Sequence, residues 1–211
     1  MNKYVLWVVL VLALLAGVWL SQMQAGPKQP QQAVVYPKAR PLTEFSLLDQ
    51  QGQPAGLEAL RGQWTLVFVG YTSCPDICPL TMAKLAGLQP KLQQMTSTPV
   101  QVWFVSVDPK RDTPTQLAQY VQHFNQPALK AFTADHPALF PFVRQLGLMY
   151  AIPQQQEGHY LVDHSASIAL ISPKADVVAM FKPEMKAGQP PLVNSDILLA
   201  DFPLVLERSE G

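Results

Sequence analysis

Residues 4–20 carry no charge, proline or asparagine and consist almost wholly of Val, Leu, Ala and Trp. A run of about 17 such residues is at the short end of what crosses a bilayer core, yet longer than the apolar part of a usual signal peptide. Residues 26–42 are rich in Pro and Gln and poor in core formers, which reads as a semi-extended tether. From Thr43 onward, apolar positions recur with strand and helix periods in alternation. The predicted organisation is an N-terminal membrane anchor over 1–25, a tether over 26–42 and one folded domain over 43–211.

Within that domain, residues 45–48 and the turn-forming run 49–53 predict an opening hairpin. Residues 65–70 predict a buried strand. After Cys78, the positions Met82, Leu85, Leu88, Leu92 and Met95 keep an approximate helical spacing, with a kink or early end expected at Pro90. Residues 100–107 predict a second buried strand. The turn 108–112 then leads to a helix with Thr113 as N-cap, Pro114 at the first helical position and Gln116 completing a capping box. Leu117, Tyr120, Val121 and Phe124 form its apolar face. A helix over 137–146 should end at Gly147. A final strand pair, 167–172 and 177–181, is followed by a C-terminal helix over about 195–206. This order fits an α/β, thioredoxin-like sandwich with an N-terminal hairpin, preceded by one transmembrane helix.

Charge changes the picture in two places. The chain has 15 basic and 15 acidic residues, interspersed, so there is no electrostatic footprint for nucleic acid. Ahead of the apolar run the positive charge is Lys3 and the N-terminus, which predicts a start on the cytoplasmic side. Trp7 and Trp19 fall near the two ends of the run, where amphipathic rings favour the interface. Residues 21–25 offer no small-x-small cleavage site, which favours an uncleaved, single-pass anchor. The domain is then expected outside the cytoplasm, where disulfides persist.

The candidate chemistry is concentrated in one place. The chain's 2 cysteines, Cys74 and Cys78, are spaced Cys-x3-Cys directly after the predicted strand 65–70. They must act as a pair, either as a dithiol/disulfide couple, as two soft metal ligands, or as both. Pro79 suits the first turn of a helix, which puts Cys78 at or beside the N-cap, where free N–H groups and the helix dipole favour thiolate. A structural disulfide is the plainer reading, but closing so short a loop removes little chain entropy. A structural zinc site is disfavoured because there is no second Cys pair.

A third ligand must come from the 4 histidines. His123 and His136 sit at helix ends and read as surface or capping residues. His159 and His164 lie five apart before the strand 167–172, so in an extended chain only one faces the cysteines; His164 is the better placed. Met149, Met180 and Met185 are simpler as core or loop residues than as soft ligands. Two thiolates and an imidazole suit copper, zinc or iron–sulfur chemistry. Outside the cytoplasm, copper is the economical choice.

The block Tyr71-Thr72-Ser73-Cys74-Pro75-Asp76-Ile77-Cys78-Pro79 resembles the signature of the Sco/SenC family of copper-handling proteins. Two further blocks, Val105-Ser106-Val107-Asp108-Pro109-Lys110-Arg111-Asp112-Thr113-Pro114 and Tyr160-Leu161-Val162-Asp163-His164-Ser165-Ala166-Ser167, resemble it as well, in family order. The resemblance implies a membrane-anchored thioredoxin-like domain that binds one copper, as Cu(I) or Cu(II), through Cys74, Cys78 and His164. It further implies an inner-membrane protein with its C-terminal domain in the periplasm. Its partners would be the copper-centre subunit of cytochrome c oxidase and other copper chaperones or thiol reductants.

Three functions stay open at this point. A copper metallochaperone would serve maturation of the dinuclear copper centre of cytochrome c oxidase, without turnover of its own. A thiol–disulfide oxidoreductase would use Cys74 and Cys78 as a redox pair on the oxidase subunit's cysteines. A copper or redox sensor would signal through site occupancy. Thioredoxin-type reductases usually place a proline before the strand that faces the Cys pair. Here the place is taken by His164-Ser165-Ala166, which favours metal. Asp163 is a candidate to orient the histidine, with a turn role as its alternative.

Overall fold

The computed structural model describes residues 2–23, 28–154 and 160–210. His159 and much of the Gln-rich stretch around it lie outside the described residues. The first element, α1 (Lys3–Met23), is apolar on every side and exposed over residues 3–20. Its stretch Lys3–Leu20 has a mean hydropathy of 2.2 with 0% buried, which makes it a candidate membrane span by length and composition.

The remaining elements build one mixed sheet of 8 strands. These are β1 (Ala33–Pro41), β2 (Leu47–Asp49), β3 (Pro54–Ala55), β4 (Trp64–Gly70), β5 (Val100–Ser106), β6 (Leu129–Thr133), β7 (Ile168–Ile171) and β8 (Asp176–Phe181), in the spatial order β1-β8-β7-β4-β5-β6-β2-β3. Between them lie α2 (Ile77–Gln93), α3 (Pro114–Gln122) and α4 (His136–Gln145), and α5 (Ser195–Glu210) ends the fold. Strands β4 and β5 are buried at every position, and their apolar stretches 66–69 and 102–105 suit central parallel strands. Their two crossovers, β4-α2-β5 and β5-α3-β6, give the parallel half of the sheet.

The β2–β3 hairpin forms at one edge, and β2 also pairs with β6. Helix α3 begins as its sequence dictates: the Thr113 side chain accepts from the Gln116 N–H and Pro114 is the first helical residue. Helix α4 is followed by Gly147 at φ 77, the left-handed stop for which a glycine is suited.

Three expectations change. The expected tether does not stay outside the sheet: residues 33–41 form β1, an edge strand antiparallel to β8. Its composition misleads because an edge strand tolerates proline, and Pro37 falls where the register shifts between Val35 and Arg40. Residues 28–33 are bound as well. The buried Asp201 carboxylate accepts from the N–H groups of Gln31, Gln32 and Ala33, and Arg208 reaches the Lys28 carbonyl and the Gln29 side chain. Second, α2 does not end at Pro90 but runs to Gln93. The Ala86 carbonyl, which Pro90 cannot serve, accepts from the Gln126 side chain at 3.4 Å. Third, β6 completes the parallel set although residues 129–133 carry no strand signal beyond a few apolar positions.

The register decides where function can sit. Strands β4 and β7 are antiparallel neighbours, with Phe68 opposite Ile168. The chain leaving β4 after Gly70 and the chain entering β7 before Ile168 therefore emerge at the same end of adjacent strands. Cys74 and His164, far apart in sequence, are delivered to one place.

Candidate metal centre

The loop after Gly70 turns into α2 with Asp76 as N-cap, but Asp76 makes no side-chain cap. A sulfur serves the helix start instead, since the Cys78 N–H points at Cys74 Sγ, 3.5 Å away. Pro79 occupies the first turn, where its missing N–H leaves no gap in the helix ladder. Cys78 itself is the second residue of α2 and is fully buried, whereas Cys74 is half-buried at the rim.

His164 approaches from the other loop. It faces Tyr150 in an isolated antiparallel bridge that pins its backbone, with Ala151 N–H donating to the Asp163 carbonyl and Ser165 N–H to that of Met149. Its ring stands edge-on to Phe68 and Tyr71, at 5.7 and 5.9 Å between centroids. Nδ1 lies 3.1 Å from the Ser165 carbonyl, which turns Nε2 inward to 3.4 Å from Cys78 Sγ. The Nδ1 partner is thus the Ser165 carbonyl and not Asp163, which is exposed.

The donor atoms of Cys74, Cys78 and His164 all lie within 4.8 Å of one another. Two sulfurs and an imidazole nitrogen at that spacing can converge on a single soft ion. Both cysteines are free thiols. Cys74 is held far below its ordinary value, down to about 3. The main cause is the hydrogen bond from the Cys78 thiol, with help from His164 and the N–H groups of Cys78 and Asp76 against the cost of burial. Cys78 moves the opposite way, because its proton is the one shared with Cys74 and because its sulfur is buried. Both shifts favour a single shared proton, with negative charge on the half-buried Cys74 sulfur rather than on Cys78.

Among the other sequence candidates, His136 hydrogen-bonds the Tyr150 hydroxyl at 3.0 Å and His123 caps α3; neither belongs to the cluster. Met149 and Met185 are exposed loop residues and Met180 lies in β8.

Sequence reasoning passed over the supports. Asp112, fully buried, accepts from the Thr72 N–H, the Thr72 hydroxyl and the Ser106 hydroxyl, and so fixes the start of the cysteine loop. Asp108 accepts from the Tyr160 hydroxyl at 2.7 Å and pairs with Arg111. Arg111 lies over the Tyr160 ring at 3.6 Å and donates to the Tyr160 carbonyl at 3.0 Å. These contacts clamp the stretch that leads to His164. Their signal lies in the block 105–114, where local pattern discloses only a turn and a helix start.

Comparison with known proteins gives a consistent answer. The SCO1/SenC family profile matches residues 35–191. The mitochondrial SCO2 homolog of Bos taurus is 37% identical over 169 residues, covering 78% of this chain and 63% of its own length. The SCO2-like protein RP587 of Rickettsia prowazekii is 29% identical over 197 residues, covering 90% of this chain and 95% of its own. This chain thus spans less than two thirds of the bovine relative. The crystal structure of Arabidopsis thaliana ScoI with copper bound superposes with a TM-score of 0.66 at 30% identity, covering 79% of this chain and 98% of that one. BsSco, described as a member of the Sco family of cytochrome c oxidase assembly proteins, shares the fold at a TM-score of 0.60 and 24% identity. With the profile covering most of the sheet and both loops of the cysteine–histidine cluster, this chain belongs to the SCO1/SenC family.

Proposed function

We propose that this protein is a copper metallochaperone, in which Cys74, Cys78 and His164 hold one copper ion on its way to the dinuclear copper centre of cytochrome c oxidase. The observation that carries the reading is the convergence of the two sulfurs and His164 Nε2 within 4.8 Å. Copper-bound Sco relatives and the assembly role named for BsSco support the choice of metal and recipient. Copper is cargo here. The buried Cys78 and half-buried His164 keep the ion in the fold, and Cys74, half-buried at the rim, is the ligand a recipient's thiol can reach and displace.

A second reading rests on the same sulfur. A half-exposed thiolate beside a reduced partner thiol can attack a disulfide and be released by Cys78, which suits reduction of a recipient's cysteines before metal arrives. The α1 helix would hold the domain at the inner membrane on its periplasmic side.

Copper titration of the reduced protein, parent against His164→Ala, separates these readings. Delivery predicts that the variant loses about tenfold or more in copper affinity, the parent's thiolate-to-Cu(II) absorption pattern and its function, whereas a pure reductase would keep most of its dithiol activity. Equal affinity and equal spectra in the two proteins would remove His164 from the site.

A further inference from the structure

We propose that Gly70 is the positioning residue for the Cys78 sulfur: the last residue of β4 leaves empty the space that this sulfur fills. The inference rests on Cys78 being a ligand, as proposed above, and concerns what places it. Gly70 is not among the glycines with positive φ, so its backbone is open to any residue and the glycine provides room, not conformational freedom. A β-carbon there would fall 2.6 Å from Cys78 Sγ, 2.9 Å from Phe104 Cε2 and 3.3 Å from Phe68 Cε1.

Those contacts define a socket. Gly70 is its floor, Phe104, tilted against Tyr120 with ring centroids 4.9 Å apart, is one wall, and His164 closes it with Nε2 3.4 Å from the sulfur. Phe68 lines the socket and also meets the His164 ring, so floor and lid share a neighbour. Strands β4 and β5 are buried throughout and cannot draw back. A methyl group at position 70 would crowd two atoms below 3.0 Å, the Cys78 sulfur most and Phe104 Cε2 next, and of these the sulfur can leave by a single side-chain rotation. Rotation of the Cys78 side chain would carry Sγ out of the socket and away from His164, while Cys74 stays at the rim.

The test is a thermal double-mutant cycle on the full-length reduced protein, combined with copper titration. Gly70→Ala should lower the melting temperature by several degrees with Cys78 present and by less in a Cys78→Ala background, where the closest crowded atom is gone and the Phe104 ring remains. With Cys78 present, it should weaken copper binding about tenfold or more and change the thiolate-to-Cu(II) bands. Gly87→Ala, at an exposed position inside α2 with nothing within 4 Å, should leave copper binding at the parent's value and raise the melting temperature rather than lower it, by alanine's helix preference.

Equal destabilisation in both backgrounds would assign the effect to the Phe104 and Phe68 rings and overturn the proposal, as would parent-like copper spectra in a folded Gly70→Ala protein. If the single variant fails to fold, recovery of folding in Gly70→Ala/Cys78→Ala supports the socket, and failure of both refutes it. Thermal coupling that persists while His164→Ala binds copper like the parent would leave the socket intact and sink the ligand reading alone.

Discussion

Asp112 holds Thr72 by two hydrogen bonds at once, from the backbone N–H at 2.8 Å and from the hydroxyl at 2.6 Å. The second sequence block is thereby fastened to the first just ahead of Cys74. Replacing Asp112 with Ala removes all three acceptor contacts, and the Thr72 N–H, unlike the two hydroxyls, cannot rotate to another partner. Asp112→Ala should therefore destabilise the reduced protein by about 1–3 kcal/mol, measured by urea denaturation. It should also weaken copper binding through the loosened cysteine loop.

The Asp108–Arg111–Tyr160 clamp predicts a graded series. Tyr160→Phe removes the hydroxyl that donates to Asp108 but keeps the ring beneath the guanidinium, so copper affinity should fall only a few-fold. Arg111→Ala removes the ring contact, the bond to the Tyr160 carbonyl and the partner of buried Asp108 together, and should cost about tenfold or more. Copper titration of both variants checks the order. Equal losses would show that the hydroxyl alone carries the clamp.

The proton shared by the cysteines gives a pH prediction. Because Cys74 is held down to about 3 from an ordinary 9.0, the folded chain releases a proton that the unfolded chain keeps across that window. Stability of the reduced, metal-free protein from this group is fully present above the unfolded value and is lost as pH falls through the folded one. Cys78, raised, acts in the opposite sense only above the ordinary thiol value. Iodoacetamide should label Cys74 at a rate nearly flat from about pH 8 to pH 4, where a free thiol would slow roughly tenfold per unit. A rate that drops steadily across this range would refute the assignment of the charge to Cys74.

Asp201 carries the N-terminal strap. Its buried carboxylate satisfies three successive N–H groups, so Asp201→Ala leaves them without a partner and should cost about 2–4 kcal/mol. Trypsin should then cut at Lys28 and Lys38 faster than in the parent. Unchanged cleavage would mean that β1 holds the segment without the carboxylate.

Much of the fold is legible because its local signals agree with its burial. Strands β4 and β5 centre on the apolar runs 66–69 and 102–105, α3 has Thr113 and Pro114 in order, and the β7–β8 pair brackets a proline-led turn. What escapes reading is what tertiary structure decides. Lys38, Arg40 and two prolines disguise β1, which the free edge of β8 recruits. Strand β6 is short and carries Lys130 as its second residue, and its place beside β5 supplies the pairing. In the cluster, Cys74 and Cys78 stand out by their isolation, and His164 by its block. Asp112, Arg111 and Tyr160 do not, because their contacts join segments far apart in sequence.

The hold of Asp201 and Arg208 on residues 28–33 also sets a leash. With α1 in a bilayer, the chain between Met23 and the fastened Lys28 is residues 24–27. At about 3.5 Å per residue that length spans at most roughly 18 Å. A domain so short of slack could not range far above the membrane, and its cysteine–histidine cluster would stay within about a domain's breadth of the lipid surface.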